Sequence, residues 1–129
     1  MRFISAVLTA AGLSSRMGRP KPLLSWQGKT LVESQIDTLL QAGASEVIVV
    51  LGHRAMDVAP YVNGDTVCPV VNSQYRDGRT SSIKTGLDAV SPKARDIVLM
   101  AVDQPRTPQV VSRVIREHGE VNALLTSPR

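Results

Sequence analysis

Residues 3–24 read FISAVLTAAGLSSRMGRPKPLL, an aliphatic run that leads into a loop of small, basic and proline residues. The run from Phe3 to Leu8 predicts a buried β-strand, and the small residues at positions 10–12 let the backbone approach a planar or anionic group. Free N–H groups in such a loop can hold phosphate oxygens. The segment therefore predicts an anion-binding loop, and a surface turn with solvated charges is the alternative.

The basic residues of this loop are Arg16, Arg19 and Lys21. Prolines on both sides of Lys21 keep it out of a helix, so that it can reach inward from a loop. The loop is not a Walker A motif, because five residues separate Gly12 from Gly18 and Arg19 follows where Lys-Ser/Thr is required. It is not a GxGxxG fingerprint either, so its function has to be argued from its place in the fold.

Further apolar runs predict strands along the rest of the chain, and the proline in one of them, Pro69, indicates a sheet edge. These runs are Val47 to Leu51, Val67 to Val71, Ile97 to Val102 and Val121 to Leu125.

Segments with helical periodicity lie between the strands. Thr30 and Glu33 have the spacing of a capping box, and Gly43 is placed to end the helix that follows. A short helix is predicted near residues 55–62. A further helix begins near residues 80–82, with Ile83, Leu87 and Val90 on one face, and Thr107-Pro108 begins another that Gly119 ends.

This alternation predicts an α/β fold: a mostly parallel sheet with right-handed crossovers, helices on both faces and strand order 3-2-1-4-5. Ligands bind where the strand order reverses, beyond the carboxyl ends of the first and fourth strands. The segments from Thr9 to Lys21 and from Asp103 to Pro105 should therefore face each other across one crevice.

Four further residues at this edge carry polar groups. Asp103 follows a strand and could hold a divalent metal with its waters, or it could form an Asx turn before Pro105. Ser81 and Ser82 stand at a predicted helix start, where they could hold an anion or a ribose or simply cap the helix. His53 follows a strand at the same edge, and an ordinary surface histidine is its alternative. Cations opposite a carboxylate suit a metal-bound polyphosphate.

The composition predicts one domain, residues 1–129, with a mass of 13.9 kDa and a formal net charge of +4. The lysines and arginines are scattered and aromatic residues make up only 3%, which argues against binding to nucleic acid. No apolar run approaches the roughly 20 residues of a membrane-spanning helix. The one cysteine, Cys68, excludes an intramolecular disulfide and is expected in the core of a cytoplasmic protein.

Taken together, the motifs resemble the signature of the MobA-like NTP transferases, and within them the molybdenum cofactor cytidylyltransferases. The residues that carry the resemblance are Ala10-Ala11-Gly12, Ser14, Arg16-Met17-Gly18 and Lys21. Later stretches, at residues 50–53, 77–83 and 102–105, also resemble the family.

The resemblance implies a three-layer, Rossmann-like nucleotidyltransferase fold that transfers NMP from Mg-NTP to a phosphorylated acceptor, molybdopterin, and releases pyrophosphate. It implies that Mg²⁺ is the cofactor, and it assigns roles by position. The residues Ala10, Ala11, Gly12, Ser14, Ser81 and Ser82 bind the nucleotide, Arg16 and Lys21 neutralise the triphosphate, and Asp103 binds the metal.

Ala11 is similar to the cytidylyl branch, so CTP is favoured over GTP. Family members run well past Arg129, so we expect this chain to lack the C-terminal part that binds the acceptor, and an open sheet edge could then allow self-association. Transfer to another acceptor such as a sugar phosphate, and a nucleotide-binding fragment without turnover, remain alternatives.

Overall fold

The computed structural model of the protein describes residues 3–11, 21–23, 25–26 and 28–102. The strands of the described residues are β1 (Ile4–Ala10), β2 (Ser25–Trp26), β3 (Lys29–Thr30), β4 (Glu46–Leu51), β5 (Val67–Val71) and β6 (Asp96–Ala101). The helices are α1 (Leu31–Gln41), α2 (Ala55–Val58) and α3 (Arg79–Asp88), with single 3₁₀ turns at Lys21–Leu23, Ala59–Tyr61 and Tyr75–Asp77.

The main sheet has the order β5-β4-β1-β6, and each pair of neighbours is parallel. This confirms the predicted order for the first four strands, while the predicted fifth strand and the helix before it lie outside the described residues. A small antiparallel hairpin of β2 and β3 was not predicted. Two-residue strands are too short to show a hydrophobic period, which explains why the sequence does not reveal them.

Helices cover both faces of this sheet, as predicted. Alternate residues of β1 point to opposite faces: Leu8 packs in the core that contains the apolar side of α1, whereas Val7 packs in a second core beneath α3. Val58 of α2 packs in the same core as α1. The strands buried from both sides are therefore mostly apolar, as in other parallel sheets, although β1 also buries Ser5.

The helix α1 begins and ends where the sequence predicts. The Thr30 hydroxyl oxygen accepts a hydrogen bond from the Glu33 N–H at 3.3 Å, and the Glu33 carboxylate accepts one from the Thr30 N–H at 3.1 Å. At the other end Gly43 has a φ of +108°, a conformation that favours glycine. The capping box fixes the entry of the chain into α1, and Gly43 turns it toward β4.

The helix α3 approaches the sheet closely because its residue 86 is a glycine. A Cβ atom at Gly86 would lie 2.4 Å from Val7 Cγ1 and 3.0 Å from Val50 Cγ2. The sequence placed Val90 in this helix, but the helix ends at Asp88 and Val90 packs against the same core from the following turn. The prediction was right about the face and wrong about the helix end.

The expectation that Cys68 is buried is wrong. Its side chain is exposed, and Val71 in the same strand is 62% exposed. The physical reason is the place of β5, which is an edge strand of the described sheet and has a hydrogen-bonded neighbour, β4, on one side only. The strand also contains Pro69, which agrees with the predicted edge position.

Within the described ranges, every helix falls short of the length and apolar character that crossing a bilayer requires.

The capping box gives a direct test of the α1 assignment. We expect Thr30→Ala to lower the free energy of unfolding by about 1 kcal/mol, because the first turn of α1 loses the hydroxyl acceptor. Urea unfolding of the two chains measures this difference. Thr66→Ala, at an exposed turn residue, is the control and should leave stability unchanged. An unchanged midpoint for Thr30→Ala would contradict a stabilising capping box.

Candidate functional site

The candidate site lies at the carboxyl edge of the parallel sheet, where the central strand β1 meets its two neighbours. The Val102 N–H donates to the Thr9 carbonyl at 3.0 Å, and the His53 N–H donates to the Ala11 carbonyl at 3.3 Å. Both bonds continue the ladder past the ends of the strands. The basic loop and the segment that starts with Asp103 therefore follow residues that are directly bonded neighbours.

Ala10 and Ala11, two of the predicted nucleotide-binding residues, have buried side chains. Ala10 is 3% exposed and packs in the α1 core, whereas Ala11 is 1% exposed and packs in the α3 core. Their methyl groups point to opposite faces of the sheet. Any contact with a ligand at this edge would therefore use the main chain of this segment.

The remaining residues predicted for the loop are only partly placed. Lys21 is the first residue of a 3₁₀ turn, and Leu23 in that turn is buried in the α1 core. The turn is therefore anchored beneath α1. The other predicted residues, Gly12, Ser14, Arg16 and Asp103, lie outside the described residues, as does the side chain of Lys21.

Gly52 allows the chain after β4 to pack tightly against two neighbours. A Cβ atom at this position would lie 2.5 Å from Tyr75 Cβ and 2.8 Å from Ala11 Cβ. No side chain fits between them without displacing one or the other. Gly52 thus brings the end of β1 and the 3₁₀ turn at residues 75–77 together at the edge, which the sequence analysis did not anticipate.

Tyr75 connects this contact to polar side chains. Its ring lies 6.0 Å from the His53 ring, centroid to centroid, with the planes tilted by 56°. Arg76 donates from Nε to the Tyr75 hydroxyl at 3.4 Å, and this hydrogen bond raises the pKa of the Arg76 guanidinium. A permanently cationic side chain therefore stands beside an aromatic ring at the predicted ligand-binding edge.

The predicted residues Ser81 and Ser82 lie in the first turn of α3 and share a hydrogen-bond partner, Asn72. Ser82 is 5% exposed, while Ser81 is partly exposed. Sequence reasoning missed Asn72, although it follows a predicted strand at the carboxyl edge. The rule that drew attention to Asp103, a polar residue directly after a strand, applies to Asn72 as well.

No group of three or more histidine, cysteine, aspartate or glutamate side chains converges within the part of the chain that the structure describes. The metal site predicted from the sequence therefore depends on Asp103, which lies outside the described residues.

Comparison with known proteins identifies relatives over nearly the whole chain. Nicotine blue oxidoreductase of Paenarthrobacter nicotinovorans is 37% identical over 134 residues, which cover 98% of this chain and 65% of that protein. Molybdenum cofactor cytidylyltransferase of Escherichia coli is 36% identical over 91 residues, 70% of this chain and 47% of the enzyme. The chain thus spans about half to two thirds of the length of these relatives.

The fold is similar to that of Rv0371c from Mycobacterium tuberculosis, with a TM-score of 0.79 and 34% identity over 93% of this chain and 61% of the other. That protein has also been solved in complex with manganese. The parallel sheet and its helices have the Rossmann-like arrangement of nucleotidyltransferases, since a nucleotidyl transferase from Methanothermobacter thermautotroptrophicus is similar to this chain with a TM-score of 0.78 and 34% identity over 88% of this chain and 57% of that one. The MobA-like NTP transferase domain matches residues 6–129, and the chain therefore belongs to this family of nucleotidyltransferases.

Proposed function

We propose that the protein transfers a nucleoside monophosphate, CMP, from Mg-CTP to a molybdopterin-type phosphorylated acceptor with release of pyrophosphate. The observation that carries this proposal is the hydrogen bond between the Val102 N–H and the Thr9 carbonyl. It joins the strands that lead into the basic loop and into Asp103. The loop cations and the carboxylate would then flank one ligand, as a metal-bound triphosphate requires.

The reaction needs positioning and charge stabilisation rather than a protein nucleophile. An oxygen of the acceptor phosphate attacks the α-phosphorus, the bond from that phosphorus to the oxygen bridging to the β-phosphorus breaks, and pyrophosphate leaves with that oxygen. Arg16 and Lys21 are proposed to bind the phosphates and stabilise the charge that develops on the leaving group. Mg²⁺, held by Asp103, would neutralise phosphate oxygens.

The nucleotide-binding surface is proposed to consist of the main chain at Ala10, Ala11 and Gly12, with Ser14 from the loop and the α3 start on the other side. The chain before Gly12 and the α3 start are packed against each other through Gly52 and Tyr75. This packing supports the assignment, because it holds these two parts of the proposed nucleotide-binding surface at a fixed distance from each other.

The preference for CTP and for a molybdopterin acceptor is supported by the relative from Escherichia coli and by Ala11. We also propose a cytoplasmic location, in keeping with the single cysteine. Self-association through an open edge of the sheet is proposed as well.

A second candidate comes from the relative named as an oxidoreductase, which matches more of this chain than the cytidylyltransferase does. Chemistry of that kind would consume an electron donor and release no pyrophosphate.

One assay separates these functions. The full chain is incubated with each of the four Mg-NTPs, alone, with molybdopterin or with a sugar phosphate, and both nucleotide binding and pyrophosphate release are measured. Release that requires CTP and molybdopterin supports the proposal. Release with a sugar phosphate instead changes the acceptor, and binding of CTP without release under any of these conditions excludes transfer by this chain.

The role of Asp103 has its own test. We expect Asp103→Asn to weaken binding of Mg-CTP far more than binding of metal-free CTP, because an amide is a poorer ligand for Mg²⁺ than a carboxylate. Calorimetric titration of both forms measures the difference. Asp65→Asn, at an exposed turn before β5, should change neither affinity. Equal losses with and without metal would exclude Asp103 as the metal ligand.

Lys21 is tested by turnover. Replacing it with alanine should reduce the rate of pyrophosphate release by roughly 10²–10³, the effect of removing one donor from the transition state. Thermal unfolding should be unchanged, and Lys93→Ala, at an exposed turn residue, serves as the control for loss of a positive charge. Near-normal turnover, or loss of folding, would remove Lys21 from the site.

A further inference from the structure

Asn72 occupies the point where β5, the following turn and α3 meet. Its N–H donates to the Leu51 carbonyl at 2.7 Å, which continues the β4–β5 ladder one residue past the end of β5. Asn72 as a whole is only 5% exposed. A side-chain amide this deeply buried is costly unless its polar atoms find partners.

The partners of Asn72 fix the orientation of its amide group. The Gln74 N–H lies 3.0 Å from one amide atom, and because a backbone N–H can only donate, that atom is the oxygen Oδ1. The nitrogen Nδ2 therefore faces α3. It donates to the hydroxyl oxygens of Ser81, at 2.9 Å, and of Ser82, at 3.0 Å.

The polarity of the Ser81 hydroxyl follows from its own contacts. The oxygen Oγ lies 2.8 Å from the Gly78 carbonyl and 3.1 Å from the Gln74 carbonyl. Carbonyl oxygens only accept, so the single hydroxyl proton is directed at them. One lone pair of Oγ already accepts a hydrogen bond from Asn72, so only the second lone pair remains for a ligand. Toward a ligand, Ser81 is an acceptor.

This polarity distinguishes the two halves of a nucleotide. Phosphate oxygens are acceptors at neutral pH, and an acceptor gains nothing from facing them. The nucleoside half carries donors, namely the sugar hydroxyls and the exocyclic amino group of a base such as cytosine. We infer that Asn72 is a positioning residue that holds Ser81 as a hydrogen-bond acceptor for the nucleoside half of the substrate, an inference that rests on the proposed function.

A competing assignment places phosphate at the same helix. The N-cap residue of α3 is Gly78, which has no side chain that could cap the helix, and helix N-termini attract anions. In that case the loss of Asn72 would weaken binding of the phosphates. Because pyrophosphate contains phosphates and no nucleoside, it separates the two assignments.

The experiment uses Asn72→Asp in the full chain. Aspartate has the shape of asparagine but replaces the two N–H donors with an acceptor, so the serine hydroxyls must turn their protons toward residue 72. Ser81 would then face three acceptors, residue 72 and the Gly78 and Gln74 carbonyls, with one proton, so its oxygen would no longer be held in place to accept from the nucleoside. We expect the dissociation constant of Mg-CTP to rise about tenfold to a hundredfold. The dissociation constant of Mg-pyrophosphate should remain within about twofold, since Ser81 as an acceptor does not face the phosphates.

Two further variants separate positioning from stability and charge. Asn72→Ala removes the donors without burying a charge, and it should show the same selective loss of CTP affinity. Asn63→Asp makes the identical substitution at an exposed residue whose amide donates to the Pro60 carbonyl. It should leave both affinities unchanged. Urea unfolding of each variant checks that the chains compared are folded.

The outcomes distinguish this inference from the proposed function. If the unsubstituted chain does not bind Mg-CTP, the proposed function fails and the inference falls with it. If the unsubstituted chain binds and the Asn72 variants bind CTP as well as it does, only the inference fails. Equal losses of affinity for CTP and pyrophosphate would assign the phosphates to α3. If neither variant folds, Asn72 is required for folding and the inference is overturned.

Discussion

The central position of β1 is the constraint on which the described structure depends. This strand bonds in parallel register to β4 on one side and β6 on the other, with Ala10 opposite Leu51 and Thr9 opposite Ala101. Parallel strands end at the same edge, so the chain segments that leave these strands begin side by side. The chemistry proposed for the protein requires that the loops after β1 and β6 carry opposite charges, and the sequence has Arg16 and Lys21 in the first and Asp103 in the second.

The position of α3 is the second requirement. Gly86 lets the helix approach Val7 and Val50, and Gly52 lets Tyr75 approach Ala11. Both contacts are with glycines, where any side chain would push two packed elements apart. Together with the amide of Asn72 they fix the first turn of α3 relative to the end of β1. The candidate site is therefore assembled by close packing at two glycines and by one buried polar group.

Much of the fold could be predicted from the sequence, because long apolar runs and helix caps have strong local causes. The strand order and the start of α1 at Thr30 follow from such signals. The exposure of Cys68 does not, since it depends on which strand lies at the edge and what covers it. The same limit applies to the site: the tight contact at Gly52 and the hydrogen bonds of Asn72 join residues that are distant in sequence, and no local pattern reveals them.

The central claim is that a nucleotide binds at the carboxyl edge of the sheet. Titration of the isotopically labelled chain with Mg-CTP, followed by backbone amide chemical shifts, tests it most directly. The account predicts that the largest shifts fall at Ala11, Gly52 and residues 72–82, while amides at the opposite edge, such as those of Glu46 and Ser91, remain unchanged. Shifts concentrated at that opposite edge, or none at saturating nucleotide, would contradict the account.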